Sequence, residues 1–274
     1  MSIEVIKTVC AGSRELNRKR ILELEAITKT FPQVEIPVTH YIHGGMYCRE
    51  ITIPAGTIVT GQIYKFDHFD IMISGDVTVS TDGGDVKRFK GYNCLKGLSG
   101  KKRAGFAHED TVWITIHPFS GEDGESIQKF VTAESFDELK LFNQTINKAD
   151  YETFLTEICT TNEELKNYFF ESEVDNKELE GVYVDNSTIN GKGLFCKRKV
   201  IAGDELAVLR DGGKLTRAGR FVNHALLCNS KVIINNGKAV LTSLRDLEIG
   251  DEITVNYREI VNSLMLKGEQ WREL

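Results

Sequence analysis

The sequence predicts a mainly β protein, an N-terminal antiparallel β-barrel joined by a helical connector to a second β-rich segment. Three observations predict it. Over residues 34–119, short runs rich in Ile, Val, Tyr and Thr alternate with glycine-bearing turns. Over 121–180 the apolar residues move to helical spacing. From 181 to 258 the β-type runs return. The division expected is 1–33, a helical or extended segment; 34–120, the barrel; 121–180, the connector; and 181–274, a second β domain ending in a helix.

In the first segment, "SRELNRKRILELEAITK" sets Leu16, Ile21, Leu24 and Ile27 at helical spacing behind Ser13, a residue able to cap the first turn. The runs "REITIPAGTIVTGQIY", "DIMISGDVTVSTDGG" and "EDTVWITIHPF" then recur at the short, even spacing of an antiparallel barrel or jelly roll. In the connector, "GEDGESIQKF" is polar and glycine-bearing. "FDELKLFNQTI", "DYETFLTEI" and "NEELKNYFF" read as short amphipathic helices, the last capped by Thr161 and Asn162 ahead of Glu164. The closing "REIVNSLMLKGEQWREL" reads as a helix with Leu264, Leu266 and Trp271 as packing groups. No repeat of fixed period is visible.

A chain of 274 residues has room for two domains, and 41% hydrophobic with 27% charged residues suits a soluble globular protein. A net charge of -6 gives no bulk attraction for nucleic acid, so none is expected as a partner. No apolar run is long enough to cross a bilayer, and Glu4 stands where a signal peptide would need an apolar stretch. Cys10, Cys48, Cys94, Cys159, Cys196 and Cys228 include no C-x-x-C pair, so neither a zinc knuckle nor a dense disulfide framework is expected. Free thiols in a reducing cytoplasmic compartment are the expectation.

Within the first β segment, "YCREITIPAGTIVTGQIYKFDHFDIMISGDVTVSTDGG" resembles the cupin family in the order of its strands and of Gly56, Gly61 and Gly75, over roughly 38–118. Many cupins hold a divalent metal inside the barrel with His and carboxylate ligands. The first metal motif would fall between Gly61 and Gly75, where this chain has Gln62, Tyr64 and His68, so two of three ligand positions carry poor ligands or none. His40, His43, His108 and His117 could replace them by type, but their spacing does not require it. No metal is therefore expected, and His68 is the one candidate ligand at those positions. Tyr64 and His68, four apart on a strand, would share one face. The barrel reads as a scaffold, a homo-oligomerisation unit or a small-ligand binder. The cluster "KGLSGKKRAG", with Lys96, Lys101, Lys102 and Arg103, reads as a solvated loop, with a patch for an acidic partner or phosphate as the alternative.

Three stretches follow in the last third. "NGKGLFCKRKVIAGDEL" opens with a glycine turn; "GRFVNHALLCN" sets Asn223 beside His224 and adds Asn229; "DLEIGDEITVNY" closes on Tyr257. Singly, each has a plain reading: a hairpin turn at Gly191 and Gly193, a structural histidine, a core-edge aromatic. In this order they resemble the SET family of protein lysine methyltransferases. The resemblance implies that the turn at Lys192, Gly193 and Leu194 brings backbone against the methionine part of S-adenosylmethionine. It implies that Asn223 and His224, in the "RFxNH" stretch that begins at Arg220, contact the cofactor's amino-acid and adenine parts. Tyr257 would stand at the methyl-transfer point, and the two later segments would thread as a pseudoknot.

The residue types suit that chemistry. Methyl transfer from a sulfonium to an amine is an in-line displacement, in which a protein mainly positions the two reactants. Glycine permits close backbone approach, an Asn amide both donates and accepts, and a Tyr hydroxyl in a partly apolar cleft can orient a neutral amine. The chain departs from the family at Ala225 and Leu226, where Ser and Cys are usual, and at Cys228, where Pro is usual. It also lacks the long insert between the first two motifs and the cysteine-rich zinc tail. The barrel or the connector is expected to substitute for the insert.

The function expected is S-adenosylmethionine-dependent methylation of a lysine on a protein substrate, with no membrane partner. Two alternatives stand beside it: a catalytically inactive SET-like and cupin assembly or binding module, and a cupin-type metal enzyme or small-ligand binder. The pairing of the two segments resembles a viral or phage accessory protein, which would act in the host cytoplasm.

Overall fold

The computed structural model describes residues 3–9, 14–81, 85–119, 124–171, 174–175, 179–211 and 214–265. Two compact units divide it, Met1–Phe142 and Asn143–Leu274.

The first unit opens with α1 (Ile3–Val9) and α2 (Arg14–Thr28). Ten strands follow: β1 (Val38–His43), β2 (Met46–Ile53), β3 (Ile58–Thr60), β4 (Ile63–Tyr64), β5 (His68–Ser74), β6 (Asp76–Ser80), β7 (Val86–Lys90), β8 (Asn93–Gly97), β9 (Ala104–Ala107) and β10 (Thr111–Pro118). α3 (Gly124–Val131), β11 (Thr132–Ala133) and the start of α4 (Phe136–Glu157) complete it. The strands form two antiparallel sheets, β1-β2-β10-β5-β8 and β3-β9-β6-β7, with β4 and β11 as a small separate pair. Mainly antiparallel β structure is present, but as two sheets rather than one closed barrel. The chain changes sheet between β5 and β6 at Gly75, whose φ is +112° and where a Cβ would collide with Thr111.

Helix α2 packs through Ile21 and Leu24, which join Ile6 and Ala104 in one buried cluster; full burial of such a side chain is worth about 1.5–3 kcal/mol. Leu16 and Ile27, expected on the same face, are exposed, and Ser13 lies outside the described residues. The polar run around "GEDGESIQKF" contains α3, whose Ile127 and Val131 are buried against Tyr47, Tyr64 and Phe119. The two helices expected between 136 and 158 are one, α4, because the Asn147-Lys148-Ala149 link contains neither Gly nor Pro to stop it. Tyr64 and His68 do face each other, with ring centroids 4.5 Å apart, but a turn separates them and they belong to different strands.

The second unit takes the rest of α4 and then α5 (Asn162–Glu171). A reciprocal cap starts α5: the Glu164 amide donates to Thr161 Oγ1 (3.1 Å) and the Thr161 amide to Glu164 Oε2 (2.8 Å). The strands are β12 (Val174–Asp175), β13 (Val182–Asn186), β14 (Lys192–Cys196), β15 (Glu205–Asp211), β16 (Lys214–Thr216), β17 (Asn223–His224), β18 (Ser230–Asn235), β19 (Lys238–Ser243) and β20 (Glu252–Val255). α6 (Arg217–Phe221) precedes β17 and α7 (Tyr257–Met265) follows β20. The sheets run β12-β16-β15-β19-β18 and β13-β14-β20-β17, over a core that includes Leu194, Cys196, Leu209, Leu241, Ile253 and Val255. Leu266 and Trp271 lie outside the described residues, as does the side chain of Leu264. Among the described residues, no helix is long and apolar enough to cross a membrane, and Cys48, Cys94, Cys159, Cys196 and Cys228 are free thiols.

Candidate active site

Segments far apart in the sequence meet in the second unit because β17 pairs in parallel with β20, Asn223 against Thr254 and His224 against Val255. Tyr257 follows directly, its ring centroid 5.2 Å from that of His224. The Tyr257 amide donates to His224 Nδ1 at 3.1 Å. A ring nitrogen that accepts carries no proton, so in the neutral imidazole the proton sits on Nε2, which donates to Asp150 Oδ2 at 2.9 Å. Burial holds the His224 pKa below its ordinary value; Asp150 opposes that shift and Arg258 adds to it. Arg258 in turn donates from Nη1 to Asp150 Oδ2 (2.6 Å) and from Nε to Glu157 Oε2 (2.6 Å). Charge-assisted bonds thus tie β17 and α7 to the second half of α4.

Asn223 is equally engaged. Its amide nitrogen serves three acceptors: the carbonyls of Asn190 (3.2 Å) and Lys192 (3.1 Å), and Glu252 Oε1 (2.9 Å). The Ser187 hydroxyl donates to the same Glu252 oxygen at 2.7 Å. Gly193 lies against this group, and a Cβ there would collide with the Glu252 carboxylate. Asn229, the second Asn of its stretch, pairs with backbone: Nδ2 donates to the Glu252 carbonyl (2.7 Å), and Oδ1 accepts from the Thr254 amide (2.9 Å). It fastens β20 in place.

The Tyr257 hydroxyl donates to the Val222 carbonyl at 2.8 Å. Burial, with Tyr151 and Glu252 nearby, pushes its pKa well above that of an ordinary phenol. Asn223, His224 and Tyr257 line one cavity of about 450 Å³. Thr188, Ile189 and Asn190 supply the turn side of it, and Gln144, Lys148, Tyr151 and Leu155 of α4 with Asn162 and Lys166 of α5 supply the rest.

A family model described as SET domain matches residues 51–258, a range that begins in β2 and takes in all three motif stretches. The chain belongs to the SET domain family. Among curated proteins nothing matches it. Solved structures similar to it include a cupin superfamily protein from Desulfitobacterium hafniense, 11% identical, covering 33% of this chain and 83% of that one with a TM-score of 0.28. KdgF from Halomonas sp. is 16% identical and covers 34% and 87%, with a TM-score of 0.29. Ectoine synthase from P. lautus is 15% identical and covers 38% and 78%, with a TM-score of 0.31.

Of the residues that the SET motifs single out, Asn223, His224 and Tyr257 line the cavity, while Lys192, Gly193, Leu194 and Arg220 do not. Lys192 is exposed, with Nζ on Asn186 Oδ1 (2.8 Å), and acts on the site through its carbonyl. Gly193 makes room for Glu252. Leu194 is fully buried in the core of the unit, because its place on β14 turns it inward. Arg220 sits half-buried on α6. The motifs missed the wall from α4 and α5 and the Asp150–Arg258 support. A signal for the wall exists: Gln144, Lys148, Tyr151 and Leu155 recur at one helical stripe. Residues of the expected connector thus line this cavity.

In the first unit, three of the histidines are hydrogen-bonded. His40 Nδ1 meets the Tyr47 hydroxyl (2.7 Å), His108 Nε2 meets that of Thr78 (2.8 Å), and His68 Nδ1 donates to the Phe66 carbonyl (3.0 Å). His117 is fully buried with neither ring nitrogen partnered, stacked 4.5 Å from His68. Burial, and next His68, push its pKa down to about 3. Among the described residues no group of three or more His, Cys, Asp or Glu could hold a metal ion. The expected solvated loop at "KGLSGKKRAG" is only partly one. Lys102 is buried, bonded to the Gly61 carbonyl (2.9 Å) and paired with Glu25 (3.1 Å), and Arg103 pairs with Asp70 (2.8 Å).

Proposed function

We propose that the chain is an S-adenosylmethionine-dependent methyltransferase acting on a lysine side chain of a protein. The observation that supports it is the convergence of Asn223, His224 and Tyr257 on one cavity in a member of the SET domain family. The residues present fit the cofactor. Among the described residues Asn223 Oδ1 accepts no hydrogen bond and can take one from an ammonium group. Lys148 and Lys166 offer positive charge for a carboxylate, and Tyr151 and Leu155 offer apolar surface for a base. When bound, the cofactor supplies a methyl group on a sulfonium.

The protein's part is positioning. The Tyr257 hydrogen is engaged by Val222, so any further hydrogen bond at this hydroxyl is accepted rather than donated. An amine N–H given to that oxygen turns the nitrogen lone pair into the cavity. The raised pKa keeps Tyr257 a phenol near neutral pH, so it orients the amine and does not deprotonate it. The lysine proton leaves to water as the side chain enters a partly apolar cleft, which favours the neutral amine. His224 acts through its fixed tautomer, holding Tyr257 to β17.

A second reading, a non-catalytic SET-like binding or assembly module, draws on one observation: both His224 nitrogens and the Asn223 amide nitrogen are already engaged inside the protein. Calorimetry of the full chain with S-adenosylmethionine separates the readings at the first step. Transfer of a labelled methyl group to proteins of a cell extract, lost when their lysines are blocked, separates them at the second. Tyr257→Phe is expected to bind the cofactor as before and to transfer nothing. Absence of cofactor binding by the wild type would sink the methyltransferase reading; binding without transfer to any protein favours the module. Homo-oligomerisation through the first unit belongs to the same proposal and is read by sedimentation.

A further inference from the structure

The inward face of the first unit's larger sheet carries a polar row. Side chains alternate along a strand, so Arg49 on β2 shares its face with Ile51 and Ile53, and all three line a cavity of about 290 Å³. Register puts Arg49 opposite Thr115 of β10, and Thr115 opposite Asp70 of β5. Directly opposed residues share a face, so guanidinium, hydroxyl and carboxylate follow one another across the sheet.

Their bonding is uneven. Asp70 is fully engaged, with Oδ2 accepting from Arg103 at 2.8 Å and Oδ1 from the Trp113 indole at 3.1 Å. Arg49 has no carboxylate partner among the described residues; its polar neighbour is the buried Tyr64 phenol, whose pKa burial raises. The Thr115 hydroxyl is buried beside the same Tyr64 phenol and makes no hydrogen bond of good geometry. The surrounding wall includes Val59, Val77 and Val79. A cation lacking a counter-ion, beside a buried hydroxyl whose polar neighbour is the Tyr64 phenol, faces one mostly apolar space, which is unfavourable, and a bound group of opposite charge would relieve it.

That group is an anion and not a metal. Two guanidiniums repel a dication, and both oxygens of the one carboxylate in the row are occupied. The positive charge of Arg49, without a carboxylate partner among the described residues, matches one negative charge, and the aliphatic wall matches a hydrocarbon body. We propose that this cavity binds a small monocarboxylate with an apolar tail. Arg49 takes the carboxylate by charge-assisted hydrogen bonds, and the Thr115 hydroxyl donates to it.

The test uses the full chain with butyrate, hexanoate and octanoate, and with hexanamide, inorganic phosphate and zinc as comparators, read by calorimetry and thermal melting. At least one acid is expected to bind saturably and raise the melting temperature, with hexanamide and phosphate inert. Arg49→Met is expected to weaken that acid at least tenfold and to raise the ligand-free melting temperature, because an uncompensated charge is gone. Thr115→Val, which keeps the charge, is expected to weaken it less and serves if Arg49→Met does not fold. Failure of every acid to bind, undiminished binding by Arg49→Met, or stoichiometric zinc binding that displaces the acid would each overturn the proposal.

Discussion

The two units each bury a histidine against aromatic rings, and the two side chains are treated in opposite ways. In the second unit His224 has both ring nitrogens occupied, one by the Tyr257 amide and one by Asp150. In the first unit His117, equally buried, has neither. A satisfied imidazole in a charged network fixes its neighbours, because moving any member leaves a buried partner unpaired. An unsatisfied one fixes nothing by hydrogen bonding; it fills space, stacked on His68 at 4.5 Å and tilted against Tyr64 at 4.4 Å. The contrast separates a place built to hold geometry from a place built to hold volume.

Removing the satisfied histidine should have the largest effect. His224→Phe leaves the Tyr257 amide and the Asp150–Arg258 pair short of a partner in a partly buried site. A loss of about 2–4 kcal/mol in unfolding free energy is expected, from the desolvation of groups left unpaired, measured by urea denaturation. Loss of cofactor binding should accompany it. A loss below about 0.5 kcal/mol would show that the network contributes little to holding α7.

Acid should act on the unsatisfied histidine next. His117 titrates near 3 when folded and near 6.5 when unfolded, so its folded pKa is depressed and the unfolded chain takes up the proton first. Its contribution to stability is then fully present above about pH 6.5 and declines as the pH falls towards 3. Between pH 7 and pH 5 the loss is about 2 kcal/mol from this group alone, at about 1.4 kcal/mol per unit. His224 shifts in the same direction. Urea unfolding at the two pH values, with and without His117→Phe, isolates the His117 share.

How much of this could be read in the sequence differs between the units for the same physical reason. Asn223, His224 and Tyr257 were legible because their motifs are short and ordered, and the parallel pairing of β17 with β20 then brings them together. Leu194 shows the limit: it lies inside a motif, yet strand alternation turns it into the core. The α4 wall was harder, since Gln144, Lys148, Tyr151 and Leu155 mix polar and apolar types and leave no apolar stripe. Lys102 and Arg103 read as surface charges because their partners, Glu25 and Asp70, are remote in sequence and only the fold delivers them. Pairings of that kind carry no local signature.

Two glycines, one in each unit, press against buried side chains in the same way. At Gly193 an added methyl would strike the Glu252 carboxylate, which Ser187 and Asn223 hold in place; at Gly97 it would strike the His68 ring. Each Gly→Ala change is expected to cost about 1–3 kcal/mol as overpacking. Their functional effects should part. Gly193→Ala displaces the carboxylate that anchors Asn223 and is expected to weaken cofactor binding severalfold, while Gly97→Ala leaves it unchanged. Calorimetry on both variants decides it, and equal effects would mean that Asn223 is not held from behind.

The smallest expected change comes from His117→Phe near neutral pH. The substitution conserves an aromatic ring of similar size in a stacked position and removes two polar atoms that have no partner. Exchanging an unsatisfied buried polar group for an apolar one of like shape is close to neutral or stabilising, so a shift between about 0 and 1 kcal/mol towards greater stability is expected at pH 7. The same exchange at His224 is expected to be strongly destabilising, and the opposite signs are what the comparison requires. Destabilisation of His117→Phe by more than about 1 kcal/mol, read by the same urea titration, would mean that the ring nitrogens engage a group such as an ordered water. The first unit would then hold a polar network of its own.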